Sequence, residues 1–156
     1  MPLQTVIPRC TGTYAIWFRC TRSFETLVGK LGSFLFPKGY WVYVGSAFGP
    51  GGLRSRLKHH LQPTARVHWH LDYVKKSMAP IEIWFTLDSL KREHAWAENF
   101  TLLEGASCPI PKFGATDCSC RAHFIHFLKK QGFVRFQSNI RHLSPDHAPC
   151  YRTVIK

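Results

Sequence analysis

The chain has 156 residues, 45% of them hydrophobic and 19% charged, values that suit one compact domain and exclude a disordered chain. Lysine and arginine number 21 against 9 aspartates and glutamates, a net charge of +12 with all nine histidines neutral, which points to a polyanionic partner through counterion release. No run is long enough for a membrane helix, and "MPLQTVIPRC" lacks the apolar core of a signal peptide, so the six cysteines are expected to be reduced thiols of a cytoplasmic protein with no membrane partner.

In chain order, "TYAIWFRC" (13 to 20) is rich in aromatic and β-branched residues and reads as a strand. Two glycine-marked turns in 24 to 39 predict a hairpin, and "YWVYVG" (40 to 45) is a second strong strand. A Gly-Pro-Gly-Gly loop leads into a helix over 52 to 61. "IEIWFTL" (81 to 87) is a third strand, and Asp88 or Ser89 is placed to cap a helix over about 90 to 104. The stretch 109 to 120 reads as a loop, and "AHFIHFLKK", "FVRF" and "YRTVI" suit strands. The expected class is α/β (α+β): a small central mixed β-sheet flanked by helices, with an extra N-terminal hairpin. A single domain over 1–156 is expected, its core at about 12 to 130 and C-terminal strands in 131 to 156, a monomer by default.

On the 52–61 helix, Leu53, Leu57 and Leu61 fall within about 80° of arc and form the buried stripe. Arg56 and His60 share one border of it, about 40° apart; Arg54 and Lys58 share the other. Such a helix fits two readings, a solvated basic face or a pair of donors presented to one phosphate. On the helix over 90 to 104, Leu90, Trp96, Ala97, Phe100 and Leu103 cluster with Glu93 near the middle of their face, whereas Glu98 falls off it. A carboxylate there needs a positive partner, either an arginine or a bound metal. Tyr14 and Tyr43 lie on strand faces, where a tyrosine is ordinarily core; nearby cations would lower a phenol from its usual pKa near ~10.

These residues converge on a pattern. "GTY" at 12 to 14, "YVG" at 43 to 45, Arg56 with His60, and Glu93 on a later helix resemble the GIY-YIG nuclease superfamily. The similarity extends through "HWHLDYV", "EHAWAE" and "FGATDCSCRAHF", and is greatest to a branch found alone or attached to endonuclease III-type glycosylases. The 28 residues between the two motifs exceed the usual spacing, which the 24–39 hairpin absorbs. The resemblance implies a metal-dependent DNA endonuclease, acting in repair or on branched structures. It implies that Tyr14 and Tyr43 flank the attacking water, that Arg56 holds the scissile phosphate with His60 beside it, and that Glu93 binds one Mg²⁺ or Mn²⁺. Arg54, Lys58 and His59 would add supporting charge on the DNA, and His68 and His70 a positioning or phosphate contact. The competing function is a nucleic-acid-binding module with an inert site that recruits a partner. In "CSCRAHFIH", Cys118, Cys120, His123 and His126 are zinc-type ligands, but Cys-x-Cys is tighter than the usual spacing. A loop with the thiols packed inside is the expectation, and zinc on Cys118, Cys120 and His123 the alternative.

Overall fold

The computed structural model describes residues 7–155. Its spine is β1 (Gly12–Cys20), of which every residue but Arg19 is buried. Alternation along the strand sends Tyr14, Ile16, Phe18 and Cys20 to one face and Ala15 and Trp17 to the other. A strand buried on both faces has no polar side, which is why "TYAIWFRC" reads as a near-continuous apolar run. It pairs with β4 (Gly39–Ala47) on one side and with β5 (Ala79–Thr86) on the other. Adding β6 (Phe124–Phe127) and β7 (Cys150–Val154) gives the order β6-β4-β1-β5-β7. The hairpin of β2 (Phe24–Leu27) and β3 (Ser33–Phe36) forms as expected and stacks Phe24 on Phe36 at 5.0 Å.

The α+β class holds, but the sheet is antiparallel at every pairing instead of mixed. The helix α1 (Gly52–Leu61) does connect two strands of like direction, β4 and β5, yet β1 lies between them. α1 lays Leu53 and Leu57 onto the Tyr14 face. The opposite face is covered by α2 (Glu93–Thr101) and α3 (Phe133–Leu143), whose Trp96, Phe100, Phe136 and Ile140 pack on Trp17 and Trp84. Phe100 and Phe136 stack at 4.7 Å and Phe136 meets Trp84 at 5.0 Å. Such ring pairs each add about 0.5–1.5 kcal/mol beyond the area they bury.

Two elements differ from expectation. "FVRF" opens α3 and is not a strand, because Phe133, Phe136 and Ile140 recur at helical spacing across a window longer than four residues. α2 begins only at Glu93: Asp88 accepts the Leu90 and Ala148 N–H groups and pairs with Arg92, so it organises a turn before the helix instead of capping one at 90. Among the described residues no helix is long and apolar enough to cross a membrane.

Candidate active site

β6 covers β4 only from Tyr40 to Tyr43, with one further bond from the Val44 N–H to the His123 carbonyl. Beyond that point β4 faces a cleft of about 500 Å³, lined by Tyr14, Tyr43, Arg56 and Glu93 among others. The residues come from β1, β4, α1 and α2. Gly45 lies opposite Tyr14 in the β1–β4 register, and a Cβ there would fall on the Tyr14 ring and hydroxyl. The glycine of "YVG" therefore keeps open the space that the tyrosine of "GTY" occupies.

Ser46, the next residue, joins the two charged groups of the cleft. Its hydroxyl donates to Glu93 Oε2 at 3.1 Å, and its carbonyl accepts from Arg56 Nη1 at 3.0 Å. The Arg56 guanidinium is also held 4.5 Å over the Trp69 ring, so its plane is fixed. Glu93 Oε1 lies 3.2 Å from Nδ1 of buried His123, close enough for charge interaction but without hydrogen-bond alignment. Burial pushes the Glu93 carboxyl up; the His123 imidazole and the Ser46 hydroxyl more than offset this, so its pKa stays below the usual value. An ionised carboxylate whose side chain is 22% exposed is what Mg²⁺ or Mn²⁺ takes when waters and substrate oxygens complete its shell. The position of Glu93 differs from the expected mid-face site. It is the first residue of α2, where the helix dipole favours a carboxylate, and Leu90 lies outside the helix, exposed.

His60 is not beside Arg56 as a second phosphate donor. It is buried behind the tyrosines, its Nε2 2.8 Å from the Tyr14 hydroxyl and its ring 5.5 Å from that of Tyr43. Burial first, then the charge of Arg56, lowers its pKa to about 3, so the ring is neutral at physiological pH. The tyrosines reverse the sign expected of them. Burial raises Tyr14 and Tyr43 well above the ordinary phenol, and Arg56 opposes this only in part.

The supporting residues separate. His68 and His70 line the cleft, but "HWHLDYV" is not extended: His70–Tyr73 is a 3-10 turn in which Asp72 accepts the His68 and Trp69 N–H groups. His70 Nδ1 accepts the Gly114 N–H at 2.7 Å, tying the loop after residue 110 to the cleft floor. His59 is engaged by Asp72 at 3.1 Å, Arg54 donates to the Ile7 carbonyl, and Lys58 is exposed. His126 bonds the Lys38 carbonyl and lies apart from the cysteines. Sequence reasoning missed Ser46 as the link between Glu93 and Arg56, and His123 as the neighbour of Glu93; the place of Ser46 directly after "YVG" was the available signal.

A family model described as a domain of unknown function, DUF123, matches residues 13–144, a span that takes in the whole cleft. No curated protein and no solved structure matches the chain.

Proposed function

The chain belongs to the DUF123 family, and from its site we propose that it is a metal-dependent endonuclease cleaving phosphodiester bonds in DNA, on the plan of the GIY-YIG nucleases that its motifs resemble. The observation that supports this reading most is the convergence of Tyr14, Tyr43, Arg56 and Glu93, from four elements far apart in sequence, on one cleft of a strongly basic protein.

In this reading Arg56 holds the scissile phosphate. Its guanidinium, oriented by Ser46 and Trp69, stabilises the charge that grows on the non-bridging oxygens. The hydroxyls of Tyr14 and Tyr43 hold the attacking water, and the neutral ring of His60, its Nε2 hydrogen-bonded to the Tyr14 hydroxyl, fixes the direction of that hydroxyl. Because burial keeps both phenols protonated in the free protein, they orient water more readily than they ionise. Glu93 would hold Mg²⁺ or Mn²⁺, which when bound supplies Lewis-acid stabilisation of the leaving oxygen. His68, His70 and Lys91 at the rim would meet flanking phosphates. A cytoplasmic setting belongs to the same reading, since all six cysteines are free.

The test offers purified protein with Mg²⁺ or Mn²⁺ to labelled single-stranded, duplex, flap and junction DNA. Wild type is expected to cut at least one of these, and Glu93→Gln none. If both bind DNA and neither cuts, the chain is a binding module and the nuclease reading fails.

A further inference from the structure

Beside the cleft lies a second cluster with a different chemistry. Cys118, Cys120, His94 and His123 each offer one ligand atom, and all of these atoms lie within 4.8 Å of one another. His94 Nδ1 is 3.2 Å from Cys120 Sγ, and His123 Nε2 is 3.7 Å from Cys118 Sγ. In a tetrahedral zinc site, bonds of about 2.3 Å to sulfur and about 2.0 Å to nitrogen give edges of roughly 3.3–3.8 Å. The two sulfur–nitrogen distances fall close to that range.

We propose that His94, Cys118, Cys120 and His123 form a structural zinc site that clamps the 114–121 loop to the first turn of α2. Two thiolates and two imidazoles are the donor set that selects zinc over the hard cation suited to Glu93. The backbone already presents the thiols: Lys112 Nζ takes the carbonyls of Cys118 and Cys120 at 2.7 and 3.1 Å, while the side chains meet the two histidines. The tight Cys-x-Cys spacing is workable because the remaining ligands come from a helix and from the residue immediately before β6. His94 is exposed, which leaves the ion a way in.

A second, independent observation is the use of both nitrogens of His123. Nε2 faces Cys118, and Nδ1, buried and lacking an aligned partner, lies 3.2 Å from Glu93 Oε1. A metal-bound histidine ordinarily donates its other N–H to a carboxylate. Zinc on Nε2 leaves the proton on Nδ1, facing Glu93. The site therefore positions Glu93 from two directions, through its chain neighbour His94 and through the ring of His123. Binding displaces one proton from each of the two thiols, so loading releases acid.

Zinc content is read without DNA, so the result is separate from the nuclease reading. Full-length protein purified without chelator is expected to carry about one zinc ion per chain, retained through desalting. Replacing zinc by Co²⁺ in the wild type should give the intense visible d–d bands and the thiolate-to-cobalt charge-transfer band of a tetrahedral site. Glu93→Gln should keep its zinc, while Cys118→Ser combined with Cys120→Ser should hold only traces. Wild type that stays metal-free after incubation with Zn²⁺ overturns the proposal, as does a Co²⁺ form without the thiolate band. The wild-type spectrum decides the matter even if the double variant does not fold.

Discussion

Two glutamates of the molecule have opposite surroundings. Glu82, its side chain 5% exposed, is held by Lys130 at 2.8 Å, Arg152 at 2.7 Å and the Trp84 indole N–H at 2.5 Å. Glu93 has a hydroxyl and an imidazole beside it, no lysine or arginine partner among the described residues, and an open cleft on its remaining side. Both carboxyls titrate below their usual value, so acidity does not tell them apart. Spare coordination does: Glu82 is a fastener of the fold, and Glu93 has lone pairs left for a ligand.

The sharpest way to break this contrast is to neutralise each carboxylate in turn. Glu93→Gln is expected to lower cleavage by about a thousandfold, the kinetic equivalent of several kcal/mol of lost metal stabilisation, with unfolding free energy changed by no more than about 1 kcal/mol. Glu82→Gln should do the reverse. Lys130 and Arg152 are partly exposed and rehydrate, so losing their charge-assisted bonds costs about 1–2 kcal/mol in urea denaturation, with the rate per folded molecule unchanged. Equal effects on both readouts from the two variants would erase the distinction.

Two arginines of α1 repeat the contrast on a smaller scale. Arg56→Ala should reduce the cleavage rate by about a hundredfold. Arg54→Ala, which loses a bond to the Ile7 carbonyl, should instead lower the melting temperature and leave the rate of the folded fraction close to wild type. Gly45→Ala comes next. Its methyl displaces the Tyr14 hydroxyl, and a misplacement of about 1 Å is worth up to a hundredfold in rate. Adding Tyr14→Phe should then cost little more; additive losses would mean that the glycine serves something other than the tyrosine.

The smallest effect expected is thermodynamic. His60 has its pKa lowered from 6.5 to about 3, so between those values the unfolded chain binds a proton that the native one does not. Stability should therefore fall on acidification, by up to about 1.4 kcal/mol per pH unit from this residue. Arg56, His59 and Lys75 favour the neutral ring and Asp72 opposes them. In His60→Gln, urea midpoints at pH 7 and pH 5 should lie closer together than in wild type. An unchanged difference would mean that His60 is not buried neutral.

Local signals were legible where the physics is local. β1, β4 and β5 declared themselves because apolar runs bounded by glycine and proline have few other uses, and α1 lies where its leucine spacing put it. "FVRF" was misread because four residues cannot separate a helical period from a strand. Glu93 was singled out for a reason that did not survive, since the apolar face on which it was placed starts one turn too early.

The sequence by itself determined the basic charge, the places of β1, β4, β5 and α1, and Glu93, Cys118, Cys120 and His123 as metal-type ligands, but neither the antiparallel pairing nor His94 as the fourth ligand. Only the tertiary structure decided their roles. Whether His60 meets phosphate or stands behind Tyr14, and whether Cys118 and Cys120 turn inward or toward His94, depends on contacts between residues 26 to 46 positions apart. Helical and strand periodicity carries no information at that range. Packing does, because closing the sheet around β1 buries His60, and burial then sets its charge.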